Sequence, residues 1–79
     1  MNDRYEERNR KLGLKISYYR KLKGFTQEEF AEKLGISRSH ISAIESPKAK
    51  RVVSIKKLYD MADLLEIPIH KLFQFDDEK

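Results

Sequence analysis

Apolar residues in this chain recur at intervals of three and four, the helical period, and nowhere alternate over a useful length as strand residues do. Leu12, Ile16 and Tyr19 stand at i, i+4 and i+7, and the segment closes on KLKG, basic residues followed by a glycine suited to a left-handed C-terminal position. A first helix is therefore expected to end near Lys23. The charged stretch from Asp3 to Lys11 can extend it toward the N-terminus, although Gly13 in its interior costs about 1 kcal/mol relative to alanine. In TQEE, Thr26 caps a second helix, about Gln27 to Leu34, and Glu29 completes a capping box ahead of the buried stripe Phe30, Ala31 and Leu34. Gly35 can take the positive φ that ends that helix, Ile36 can pack back beneath it, and Ser37 can cap a third helix. Ser54 caps a fourth, with apolar positions Ile55, Leu58, Tyr59, Ala62 and Leu65, and Pro68 introduces a short fifth, IHKLF. The expected fold is all-α, a compact five-helix bundle.

The third helix, RSHISAIE, departs from the usual surface pattern. On a wheel advancing about 100° per residue, with Ile41 and Ile44 facing the core, Ser39, Ser42, Ala43 and Ser46 cluster on the far side, flanked by Arg38 and His40. Helix 2 is ordinary by comparison, for Glu28, Glu29, Glu32 and Lys33 cover its outer face. Short side chains let a helix backbone approach a wall closely, and a face without carboxylates does not repel an anionic one. The major groove of DNA is such a wall, wide enough for a helix and lined by phosphates.

Charge placement sharpens that reading. The chain carries a net charge of +4, but Ser37 to Lys57 holds six basic residues (Arg38, Lys48, Lys50, Arg51, Lys56 and Lys57) against one acid, Glu45. All the excess positive charge sits in that contiguous stretch. Seventy-nine residues allow one domain, and the absence of cysteine excludes disulfides and thiolate metal sites and fits a reducing compartment. The charged N-terminus and the lack of any run near the roughly 20 apolar residues of a membrane span lead to the expectation of a cytoplasmic protein without membrane partner. Residues 1–11 are expected to form a charged extension, 12–75 the folded domain, and the acidic 76–79 a disordered tail.

These residues carry a family resemblance. TQEEFAEKLGISRSHISAIE resembles the helix-turn-helix of the phage-repressor family, the Cro and repressor type also called the xenobiotic-response-element family. The matching positions are Gln27 at the start, Ala31 at the helix crossing, Gly35 in the turn, Ile41 and Ile44 docking helix 3, and Glu45 at its end. KISYYRKLKGFTQEE is similar to the family's first helix and ADLLEIPIHKLF to its last two, so the likeness covers roughly residues 12 to 73. It implies a lambda-repressor-like bundle in which helices 2 and 3 form the helix-turn-helix and helix 3 enters the major groove.

Carried over position by position, the resemblance implies base contacts from Arg38, Ser39, Ser42 and Ala43. Arg38 is the leading specificity residue, since its planar fork can take guanine O6 and N7 together for about 1–3 kcal/mol of discrimination. Thr26, Gln27, Ser37, His40, Lys48, Lys50 and Arg51 are the expected phosphate contacts; the free N–H groups and positive dipole end at Thr26 and Gln27 independently make an anion site. Lys56 and Lys57 can add to the basic surface, one of them being expected to be merely solvated. The loop SPKAKRVV departs from the family pattern, with Pro47 and Val53 where a glycine and a proline are common and about two extra residues. Arg20 and Glu45 are implied to pair across helices 1 and 3 and to fix the angle at which helix 3 leaves the core.

Enzymatic chemistry finds no constellation: His40 and His70 are far apart in the chain, no cluster has metal spacing, and the three glycines form no phosphate-cradling loop. No cofactor or small-molecule ligand is expected. The sequence thus points to a DNA-binding transcriptional regulator, with repression by operator occupancy as the expected mode and a homodimer on a two-fold operator as the expected assembly. Phe73 and Phe75 are candidate seam residues. A rival class remains, a protein-interaction module or antitoxin-type partner on the same fold.

Overall fold

The computed structural model describes residues 3–48 and 53–75. Within them the chain forms α1 (Asp3–Lys23), α2 (Gln27–Leu34), α3 (Arg38–Glu45), α4 (Ile55–Leu65) and a terminal 3₁₀ helix (Ile69–Phe73). The described residues contain no strand. The fold is all-helical, but the fifth element is a tight 3₁₀ turn, so four α-helices and one 3₁₀ helix replace the expected five-helix count. Five residues after Pro68 cannot build a stable α-helix against the nucleation cost, and Lys71 N–H reaches Pro68 O instead, the shorter i to i+3 bond. α1 runs through Leu12 without a break, making the charged stretch from Asp3 onward the first half of that helix. The tail 76–79 lies outside the described residues.

Local chemistry sets the element ends. Thr26 accepts from Glu29 N–H at 3.0 Å while Glu29 Oε1 accepts from Thr26 N–H at 2.9 Å, the reciprocal capping box. Ser37 accepts from His40 N–H and Ser54 from Lys57 N–H, both at 3.1 Å. Gly35 ends α2 at φ 74°, and Ile36 N–H then reaches back to Ala31 O at 3.0 Å, which turns the chain directly into the cap of α3.

The core lies where the four helices and the 3₁₀ helix meet, with Ile16, Phe30, Ile41, Met61 and Leu72 fully buried. Each contributes about 1.5–3 kcal/mol of apolar burial. On α4 the inward stripe is Leu58, Met61, Ala62 and Leu65. Ile55 and Tyr59, expected in that stripe, are more than half exposed, and Met61 takes their place. The helical period allows either set; the inward face is decided by where α1 and the 3₁₀ helix lie against α4.

α4 ends on Glu66, a non-glycine residue at φ 59°. A Cβ is disfavoured in this left-handed conformation and glycine is not. Lys23 Nζ sits 2.6 Å from the Glu66 carboxylate and, through that hydrogen bond first and its charge second, holds the carboxyl below its ordinary pKa. The depressed pKa means that the pair supports the fold above the ordinary carboxylate range and stops doing so as pH falls through the folded-state titration. Glu66→Gly is expected to raise Tm by a few degrees despite losing this exposed pair, with a larger gain in acid, where the pair no longer opposes it. Thermal unfolding at neutral and acidic pH checks both parts.

Candidate nucleic-acid interface

Three hydrogen bonds close on one buried carboxylate at the end of α3. Arg20 Nε donates to Glu45 Oε2 at 2.6 Å, Arg20 Nη2 donates to Oε1 at 3.0 Å, and Gln27 Nε2 donates to the same Oε1 at 3.0 Å. Arg20 also donates from Nη1 to the Phe25 carbonyl at 2.6 Å, in the turn between α1 and α2. The paired Arg20 and Glu45 side chains are 6% and 5% exposed, so the bidentate geometry replaces the hydration that both charges have lost. Among the described residues every fully buried side-chain polar atom has a partner.

That cluster shapes the surface of α3. Glu45 is the only acid in RSHISAIE, and the ion pair takes it inside. Ile41 and Ile44 are buried, Arg38, Ser39 and Ser42 are exposed, and His40 and Ala43 are half-buried. The outward face of α3 therefore holds an arginine, serines and an alanine, with no carboxylate. α2 beside it exposes Glu28, Glu29, Glu32 and Lys33.

The expected contact residues have distinct local duties. Thr26 spends its backbone N–H and a hydroxyl lone pair on the capping box, leaving its hydroxyl hydrogen to donate outward. Gln27 has one amide hydrogen tied to Glu45 and a second to offer, so its terminal amide is held in place at the start of α2. Ser37 caps α3, and its hydroxyl lies 3.2 Å from that of Ser39. Lys48 is exposed just after α3. Lys50 and Arg51 lie outside the described residues. Lys57, a candidate member of the basic surface, instead donates from Nζ to the Leu34 carbonyl at 3.0 Å, neutralising the C-terminal end of α2. Lys56 is exposed and 3.3 Å from Asp60.

A sequence profile of the helix-turn-helix family matches residues 16–72. The chain belongs to that family, in its Cro/repressor type. An HTH-type transcriptional regulator of Methanocaldococcus jannaschii is 40% identical to this family member over 65 residues, which are 82% of this chain and 96% of that protein. Among solved structures, the restriction-modification controller protein C.AhdI of Aeromonas hydrophila superposes with a TM-score of 0.79 at 28% identity, covering 89% of this chain and 99% of its own. SinR, described as the master regulator for biofilm formation and solved in complex with DNA, gives a TM-score of 0.71 at 35% identity, covering 80% of this chain and 98% of the solved one. The family assignment makes α2 and α3 the helix-turn-helix, with α3 as its second helix.

Two features of the site escape a reading of the sequence. Gln27 joins the Arg20–Glu45 pair, a link between the first residue of α2 and the last of α3 that no spacing rule predicts. Gly13 packs its backbone against the Ile44 carbonyl of α3. A glycine inside a helix that otherwise runs unbroken was the available signal.

Glu45→Ala strands the Arg20 guanidinium in the interior and is expected to cost about 3–5 kcal/mol of unfolding free energy. Adding Arg20→Met to it should recover part of the loss, because the orphaned charge is then gone. Urea unfolding of the two variants checks this; a double variant no more stable than the single one contradicts the account.

Proposed function

We propose that this chain is a sequence-specific double-stranded DNA-binding regulator that represses by occupying its operator, with α3 in the major groove. The observation that carries the proposal is the withdrawal of Glu45, the sole carboxylate of α3, into a buried ion pair, which leaves an outward face of Arg38, Ser39, Ser42 and Ala43. Such a face can approach a polyanion without repulsion and without bulk, and Arg38 is long and planar enough to read a guanine edge. Ser39 and Ser42 add hydrogen bonds of low selectivity, and Ala43 permits close approach. Gln27, with Thr26 beside it, offers donors to a phosphate at the start of α2, while Ser37 caps α3, His40 lies in its first turn and Lys48 follows its end. Lys50 and Arg51 complete the phosphate set on the strength of their charge alone.

A homodimer belongs to this reading, since one helix-turn-helix gives limited affinity and a two-fold operator would place half-sites about one DNA turn, roughly 34 Å, apart. Phe73 is 46% exposed, and the half-buried Phe75 lines a groove with Leu14 and Tyr18 of α1; both are available to a second copy. The chemistry on the surface is that of binding, and the compartment consistent with it is the cytoplasm; among the described residues no helix is long and apolar enough to cross a membrane.

Selection of bound sequences from a random duplex pool should return a two-fold motif. Affinity for it should fall with salt at a log–log slope of about 0.9 per phosphate contacted. Arg38→Ala should relax the preference at one base position per half-site, whereas Gln27→Ala should weaken all duplexes alike and flatten the salt slope by about 1. Undiminished binding in the double variant would remove this assignment, and binding that ignores salt would favour a protein-interaction module. Sedimentation with and without the selected duplex reports the assembly, and a monomer in both removes the dimer.

A further inference from the structure

α1 carries Gly13 one residue after the core position Leu12, in the middle of a 21-residue helix. Glycine is among the poorest helix formers, and an uninterrupted helix has no backbone need for one there. Its surroundings supply the reason. A Cβ built on Gly13 would overlap the Ile44 carbonyl oxygen, closer than Cβ atoms in proteins approach, and would also stand 3.3 Å from the Ile44 carbonyl carbon and 3.5 Å from the Glu45 Cα. All three neighbours are backbone, which cannot swing aside as a side chain does. Ile44 lies in the last turn of α3, where carbonyls lack an intrahelical partner, and the Gly13 hydrogen that takes the place of a Cβ points at this one. Two turns further along the same side of α1, Arg20 binds the carboxylate of the next residue, Glu45.

We propose that Gly13 is a positioning residue for DNA recognition: by admitting the α3 backbone against α1, it sets the depth and tilt at which Arg38, Ser39 and Ser42 are presented to the duplex. Arg20 holds the α3 terminus through a side chain; Gly13 defines how near that terminus can come. A methyl group at residue 13 must push α3 outward, and the shift passes along a rigid two-turn helix to its exposed face. The proposal rests on the DNA-binding reading above.

The test is Gly13→Ala, made in the Glu66→Gly background so that added stability keeps the variant folded. Leu72→Val in the same background is the control, because it thins the core in the 3₁₀ helix, which packs on α1 and α4. Both are compared with their parent on the selected duplex at temperatures of equal folded fraction. Gly13→Ala should lose at least about tenfold in affinity, with a flatter salt dependence, and Leu72→Val should retain both. In the free proteins, the Gln27 side-chain amide and the backbone amide NMR signal of Arg38, at the far end of α3 from the added methyl, should move in Gly13→Ala alone. Equal affinities in the two variants with unmoved signals overturn the proposal. So does a Gly13→Ala chain that stays unfolded in the stabilised background, since the contact would then determine folding rather than set α3. If the parent itself bound no duplex, the DNA reading would fall, while the two amide signals would still decide whether Gly13 seats α3.

Discussion

A carboxylate taken out of water must recover its lost hydration from neighbouring donors, and in this molecule that demand is met at Glu45 by Arg20 and Gln27. The solution binds more than two residues together. Arg20 belongs to α1, the carbonyl that takes its third hydrogen bond belongs to the α1–α2 turn, Gln27 opens α2, and Glu45 ends α3. One buried charge therefore ties three helices at a single point. Uncharged residues could fill the same volume, and buried ion pairs often stabilise no better than apolar replacements. What the pair adds is direction, since its bidentate geometry tolerates little rotation of one helix against the other.

The same event decides the character of the outer surface. Without a partner inside, Glu45 would stay hydrated at the edge of α3 and set a negative charge beside any approaching phosphate. Paired, it leaves α3 with Arg38 and short polar or small residues on its exposed side, while the acids of α2 stay on the neighbouring face. Interior electrostatics and exterior complementarity are thus two consequences of one contact. The cations divide in the same way: Arg20 and Lys57 are spent on a buried carboxylate and a helix end, whereas Arg38 and Lys48 remain at the surface.

The exposed apolar residues form a second, separate theme. Leu14, Tyr18 and Leu22 recur every fourth residue along α1, and Ile55 and Tyr59 are likewise one turn apart on α4. On α1 these positions face away from Gly13 and Arg20, which point toward α3. The bundle thus separates the small, polar outward face of α3 from apolar positions on α1, an arrangement in which a partner on that side of α1 would not cover α3.

Much of this architecture was legible in the chain because its signals act over three or four residues. Thr26 with Glu29, Ser37 and Ser54 mark helix starts by capping the nearest free N–H groups, and Gly35 marks a stop because its φ is positive. Periodicity placed Ile41 and Ile44 inward, and family resemblance set Arg20 opposite Glu45. Tertiary structure alone decided what depends on the partner across the gap. Met61 rather than Ile55 or Tyr59 enters the core, Lys57 reaches the end of α2, Gln27 joins the ion pair, and the backbone at Gly13 meets Ile44. A helical repeat tells which residues share a face, but how wide a face is covered, and by which atoms, is set by the distance and angle of the neighbouring helix, which no local rule contains.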